Sequence, residues 1–440
     1  MMKILINSLG CPKNLVDSEI IAKSLSDGGY NFTDNIENAD AVVINTCSFI
    51  EPAVKEAIDV ILDAARYKEK GSLKKIIVTG CLVERYKEQI LDSIPEVDLC
   101  VGIDGYNDIT SILKKTEKSV ICGPKTDVSF MNKSRILSDN TASAYIKISE
   151  GCNNKCTYCT IPSIRGKFRS RTIDDIYQEV ENLCVSNGIK EITLVAQDTT
   201  AYGIDIYGKP SLVNLLAKLE TIKSLEWIRL LYCYPELISD ELIEIMKNST
   251  KILHYIDMPL QHSSDKVLKL MGRKGTYKEY TDLINKLRSK IPDIVIRTTF
   301  IVGFPQETEE DFENLCLFIK ENRFDRAGFF EYSREPDTPA YKLKGQISKQ
   351  VKAQRREVAE NLQNSILLNK NDDRIGREYS IIIQGISEDG LFYVGRSYAE
   401  AYEIDPLIYI SSKEPLNVKD IVNAVIVAKD DDSLFAEVVV

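Results

Sequence analysis

The chain has 440 residues, 44% hydrophobic and 28% charged, with no run of 18 apolar residues. That excludes a membrane-spanning helix and a mostly disordered chain, and predicts a soluble globular protein of two to four domains. Eleven cysteines stand against two histidines, His254 and His262, so histidine-based hydrolysis and multi-histidine metal sites are excluded in favour of thiolate chemistry. The start, MMKILINSLG, lacks a long apolar stretch with a small-residue cleavage site. A cytoplasmic location is therefore expected, where cysteines serve metals or redox chemistry and not a disulfide framework.

Residues 1–128 alternate short apolar runs with helical patterns. Strands are predicted at Lys3–Leu9, Ala41–Asn45 and Lys75–Thr79, and helices at Asn14–Asp27 and Pro52–Lys68. Such alternation implies an α/β domain with a parallel sheet. KILINSLGC, AVVINTCSF and KIIVTGCLV each end within a few residues of a cysteine. Cys11, Cys47 and Cys81 should therefore converge at the carboxyl edge of one sheet, where open α/β sheets place their ligands. Cys100, Cys122, Cys184, Cys233 and Cys316 fall singly in apolar or helical surroundings and read as packing residues.

A polar, aperiodic stretch at 129–141 reads as a linker. Beyond it, six strand candidates separated by helical patterns, from Ala144–Ile148 to Arg326–Tyr332, predict an open six-unit (β/α) partial barrel over 142–335. The first strand runs into GCNNKCTYC, where Cys152, Cys156 and Cys159 follow a Cys-x-x-x-Cys-x-x-Cys spacing. An iron–sulfur cluster normally takes four cysteines, so three would leave one iron open for chemistry. The alternative, a structural zinc, prefers paired Cys-x-x-Cys arms with a distant fourth ligand. The strand-end words AQDTTAYG, PLQHSS and IVGFPQET lie at the catalytic face of such a barrel. Gln197, Gln261 and Gly303 within them are candidate cofactor contacts, while His262 reads either as a polar contact or as a solvated strand-end side chain. In IPSIRGKFRSR the residues Arg165, Lys167, Arg169 and Arg171 alternate, so an extended segment would put them on one face, either solvated or gripping a carboxylate of the cofactor or of a protein substrate.

A connecting helical segment is expected over 336–370. Residues 371–440 then change to five short β-rich runs, which read as a small OB-like barrel of a kind that often binds RNA.

The cysteine spacing, with aromatic Tyr158 before the last thiol, resembles the radical S-adenosylmethionine superfamily. The whole chain, with both triplets and the words SLGCPKNLVDSE, INTCSFI, VTGCL, AQDTTAYG, PLQHSSDKVLKLM and GRSYAEAYEID, resembles the methylthiotransferases, and within them the branch acting on an aspartate of small-subunit ribosomal protein twelve. The resemblance implies three parts: an N-terminal methylthiotransferase domain, a radical-SAM partial TIM barrel and a TRAM-type terminal barrel. It implies two 4Fe-4S clusters, one on Cys11, Cys47 and Cys81 carrying sulfur, the other on Cys152, Cys156 and Cys159 cleaving S-adenosylmethionine, with Tyr158 among the cofactor contacts. A sulfur donor and a low-potential electron donor such as flavodoxin or ferredoxin would be needed.

Charge placement separates a protein substrate from the transfer RNA of the sibling enzymes. From Asn371 to Val440 six basic residues face fourteen acidic ones, a net charge of -8 out of -10 for the chain. A module gripping phosphates should be basic, whereas an acidic one suits a basic ribosomal protein. Two readings of other classes remain open at this point: a zinc-stapled RNA-binding protein and a non-catalytic ribosome assembly factor.

Overall fold

The computed structural model describes residues 2–71, 73–431 and 433–439. Its first sheet contains β1 (Lys3–Ser8), β2 (Asn31–Phe32), β3 (Ala41–Thr46), β4 (Lys75–Gly80), β5 (Leu99–Val101) and β6 (Ser119–Ile121). These run in the order β2-β1-β3-β4-β5-β6, all parallel. Helices α1 (Pro12–Asp27) and α2 (Glu51–Glu69) cover opposite faces, since Val16, Ile20 and Leu25 pack with Val43 and Ile77 while Ala57, Ile61 and Ala64 pack with Val42 and Ile76. Every residue of β3 is consequently buried, as expected of a parallel strand covered on both sides. The order reverses between β1 and β3, a topological switch point with a crevice beyond the strand ends. The three shorter strands carry no legible period, and the sheet is twice as wide as the sequence predicts.

The second sheet is the partial barrel. It begins with β7 (Ser143–Lys147), followed by a short antiparallel pair outside it, β8 (Ser149–Glu150) and β9 (Arg169–Ser170). It continues through β10 (Glu191–Val195), β11 (Trp227–Leu230), β12 (Ile252–Gln261), β13 (Val295–Val302) and β14 (Arg326–Glu331), in the order β14-β13-β12-β11-β10-β7, all parallel. Outward residues such as Ile146, Ile192, Leu194 and Ile256 pack under the helices, whereas inward Tyr145, Trp227, Tyr255 and Val295 join the core that contains α1. The stretch before β7 is no loose linker: Arg135 is buried and bridges Glu19 of α1 to Glu179.

The connecting segment is helical only from Lys349 to Asp372, with Ser348 capping its start. Pro336, Pro339 and Gly345 fall before it, and the only helical piece there is a single 3-10 turn, Pro339–Lys342. The terminal strands β15 (Glu378–Ile386), β16 (Tyr393–Arg396), β17 (Ile408–Ser411), β18 (Ile421–Asp430) and β19 (Ser433–Val438) close a barrel in the order β15-β16-β17-β19-β18 around Ile381, Ile383, Ile410, Ile426 and Leu434. The expected last strand extended to Val440, which lies outside the described residues.

Between β16 and β17 the chain leaves this small barrel and plugs the amino-terminal end of the large one. Arg396 pairs with Glu191 at the start of β10, Arg229 donates to Glu191 from 2.8 Å, and Tyr145 Oη donates to the Tyr402 carbonyl at 2.7 Å. Glu400 takes Arg374 at 2.6 Å, and Asp405 accepts from Tyr255 Oη at 2.8 Å. The word GRSYAEAYEID is thus a structural plug. Among the described residues no helix is long and apolar enough to cross a membrane.

Candidate active site

Cys11, Cys47 and Cys81 follow β1, β3 and β4, so the switch point delivers all three thiols to one edge. Asn14, buried in the first turn of α1, ties their loops together by donating to the Leu9 and Thr46 carbonyls at 2.9 and 3.0 Å. Two glycines permit the close approach. Gly10 has φ +90°, and a Cβ there would sit 2.6 Å from Cys47 Cβ; Gly80 has φ +92°, and its Cβ would meet the Thr46 carbonyl oxygen at 2.6 Å. Burial pushes the Cys81 thiol up to about 12 and that of Cys47 upward as well. Burial acts the same way on Cys11, but Lys13 and Arg165 beside it more than offset that and hold it below the usual thiol range.

The second triplet lies on the loop after β7 and β8. Gly151, at φ +73°, lets the loop run against the Lys167 carbonyl, where a Cβ would clash at 2.2 Å. Asn154 donates its backbone N–H to Cys152 Sγ at 3.4 Å and its side-chain amide to Asp198 at 2.8 Å, which fixes the loop to the end of β10. Thr157 bonds Met271 and Leu270, clamping the other side. Burial raises Cys152 to about 11 and Cys159 to about 12. No three His, Cys, Asp or Glu side chains among the described residues converge on a single metal ion. A cubane cluster, whose cysteines attach to different irons, takes wider spacing, and the all-thiol donor sets fit it.

The two edges face each other across a buried ion network that sequence reading missed. Arg165, 2% exposed, donates Nη1 to Asp17 and Glu150 at 3.0 and 2.8 Å, and Lys147 pairs with the same two carboxylates. Arg165 Nε and Nη2 each lie 3.3 Å from Cys81 Sγ. Lys13 sits 3.8 Å over the Tyr232 ring and reaches the Ala196 carbonyl. Asn14, Asp17 and Ser18 in SLGCPKNLVDSE were the available signal: polar side chains on an α1 face that is buried.

The basic stripe is corrected by this geometry. Ile161–Arg165 is helical and Gly166 turns at φ +76°, so only Arg169–Ser170 is extended. Arg165 and Arg171 are buried, Arg171 against Glu179, while Lys167 alone is exposed. His262 is not solvated either: it is fully buried, Nδ1 accepts from the Ser264 N–H at 2.9 Å, and burial pushes its pKa down to about 3. Of the single cysteines, Cys100, Cys184 and Cys233 are buried and Cys316 half-buried, but Cys122 is exposed.

Gln197 donates to Glu150 at 2.9 Å and leaves its buried Oε1 without a hydrogen-bond partner. Tyr158 packs edge-on against Phe304. Gln261 takes φ +74° at the end of β12, where the chain turns over the barrel mouth. Gly303, at φ +71°, is explained by the connecting helix, because a Cβ would stand 2.3 Å from Lys352 Cγ.

A six-stranded parallel partial barrel carrying this cysteine loop, with a cysteine-edged α/β sheet before it and a small closed barrel after it, defines a radical S-adenosylmethionine protein of composite build. The family model of the radical SAM superfamily matches residues 146–319, that of the uncharacterized protein family UPF0004 matches 3–102, and that of the TRAM domain matches 375–439. Among solved structures, the radical S-adenosylmethionine methyltransferase TsrM of Kitasatospora setae aligns with a TM-score of 0.54 at 14% identity, covering 77% of this chain and 76% of its own, a likeness of fold. The ribosomal protein uS12 methylthiotransferase RimO of Acetivibrio thermocellus is 47% identical over 99% of this chain and 98% of its own, and that of Clostridioides difficile 46% identical over 96% of each. The chain belongs to the ribosomal protein uS12 methylthiotransferase family and is a radical SAM transferase.

Proposed function

We propose that this enzyme methylthiolates the β-carbon of an aspartate in ribosomal protein uS12, with S-adenosylmethionine and two 4Fe-4S clusters. The substrate rests on the full-length likeness to enzymes named for it; the two-cluster reading rests on one observation, the meeting of two cysteine triplets across a buried ion network. Cys152, Cys156 and Cys159 hold the cluster that binds S-adenosylmethionine, and Cys11, Cys47 and Cys81 hold the one that carries sulfur. When bound, these groups supply the electron that cleaves S-adenosylmethionine and the sulfur that ends on the substrate carbon.

The chain's own residues position and seal. Asn14 fixes three strand-end loops together. Arg85 pairs with Glu335 at 2.7 Å, and Glu335 also takes the Glu51 N–H at 2.8 Å, which locks the N-terminal domain onto the barrel mouth. Gln197 Oε1 offers an unpartnered acceptor after β10, on the strand-end face where Gln261 ends β12, Gly303 follows β13 and Tyr158 stands on the cysteine loop. No general base is required for abstraction of a hydrogen atom, in keeping with a histidine held neutral by burial.

Metal content tests the two-cluster reading. Anaerobically reconstituted protein should hold about eight irons per chain, and Cys152→Ala/Cys156→Ala/Cys159→Ala about four. One zinc per chain, or loss of all iron in that variant, contradicts it.

The terminal barrel supports a protein substrate. Phe392, Tyr409 and Phe435 form an outward cluster with ring centroids 5.3–6.0 Å apart, and Glu388, Asp389, Glu414 and Glu437 are exposed on the same module. Basic side chains can stack on such rings and pair with such carboxylates. Neutralising those four acids to Gln or Asn in the full chain should weaken uS12 binding at low salt about tenfold or more and flatten its salt dependence. Tight transfer RNA binding at matched ionic strength, with none to uS12, would favour the RNA-modifying siblings.

A further inference from the structure

We propose that Arg165 is a positioning residue that couples the two cysteine sites, its guanidinium fork fixing Cys81 and raising the reduction potential of the cluster held by Cys11, Cys47 and Cys81. The proposal rests on the two-cluster reading above.

Every arm of this guanidinium is engaged. Nε and Nη2 converge on Cys81 Sγ at 3.3 Å, Nη2 also bonds Asn14 Oδ1, and Nη1 takes Asp17 and Glu150. Asn14 Oδ1 itself stands 4.0 Å from the same sulfur. The fork therefore sets the direction of Cys81 while resting on α1 on one side and on the barrel on the other.

Two features make this more than a structural ion pair. First, Arg165 closes the helix Ile161–Arg165 that follows Cys159, and its partner Glu150 lies just ahead of Cys152, so it is tied to both ends of the opposite cysteine loop. Second, the charges do not cancel. Arg165, Lys147 and Lys13 are three buried cations around two buried carboxylates, Asp17 and Glu150. One positive charge is left over, and the thiols of the N-terminal triplet are what it faces.

A cation and N–H···S bonds at a cluster ligand stabilise the reduced, more negative state and so raise the potential. Only arginine can do this while holding both carboxylates, because its planar fork presents five donors in fixed directions and a lysine presents one point charge.

The test uses the Cys152→Ala/Cys156→Ala/Cys159→Ala chain, which keeps the N-terminal cluster alone. Arg165→Gln and Arg165→Lys are made in that background, and iron content, the midpoint potential and the EPR signature of the reduced cluster are measured. The expected result is iron unchanged, a potential shifted lower in Arg165→Gln and by less in Arg165→Lys, and an altered EPR line shape in both. A potential in Arg165→Gln equal to that of the parent, with iron retained, overturns the proposal. So does loss of iron in both variants, since Arg165 would then only hold the loop. Absence of iron from the background chain itself would instead refute the two-cluster reading.

Discussion

Replacing Cys11, Cys47 and Cys81 together with Ala should leave reductive cleavage of S-adenosylmethionine running while methylthio product falls below detection. The separation follows from the fold. Those three thiols depend on the ends of β1, β3 and β4, and the barrel loop that carries the other three is fixed by its own partners, Asp198, Met271 and Leu270. The loop meets the N-terminal domain through Thr160, whose Oγ1 donates to the Phe49 carbonyl at 3.3 Å, and through Arg165, which keeps Asp17 and Glu150 as partners without the three sulfurs. The readouts are 5′-deoxyadenosine and modified uS12 in one reaction. Methylthiolation at the parent's rate would remove the sulfur-carrying role from this triplet.

Arg396→Ala should cost about 3–5 kcal/mol, because it strips one partner from a fully buried pair and leaves Glu191 with Arg229 and Ser143 alone. Denaturant unfolding of the loaded enzyme measures it, and a loss under about 1 kcal/mol would show that the plug is not held by this pair. The same residues set an acid limit. Burial would raise the Glu191 carboxyl, but Arg396 and Arg229 outweigh it and bring it to about 2; Arg374 does the same for Glu400, also at about 2. Both sit below the ordinary glutamate value of about 4.3. Their contribution is complete above that value and is lost as pH falls from about 4.3 toward 2. Stability should therefore drop across that window, with a shallower pH slope in Arg396→Ala.

What the sequence made legible was whatever has a period or a fixed spacing. Ala41–Asn45 and Lys75–Thr79 read as strands and each runs only one residue further, and both cysteine triplets end up at strand-end edges, since a β/α alternation allows few other places. β2, β5 and β6 were invisible because two or three residues carry no alternation. Arg165 was misread for a different reason. Its spacing from Lys167 and Arg169 fits an extended stretch, but Gly166 breaks the chain there, and nothing in one dimension shows that Asp17, 148 positions upstream, waits for its charge. GRSYAEAYEID likewise read as a family word whose job, closing the barrel base, depends on Glu191, 205 positions away. Cys122 shows the opposite error, a residue assigned to packing by type alone that stands exposed.

Mass spectrometry of ribosomal proteins and transfer RNA from cells lacking this chain identifies the substrate. In such cells uS12 should lack its methylthio-aspartate while transfer RNA keeps its methylthio-adenosines. Unmodified transfer RNA beside fully methylthiolated uS12 would contradict it.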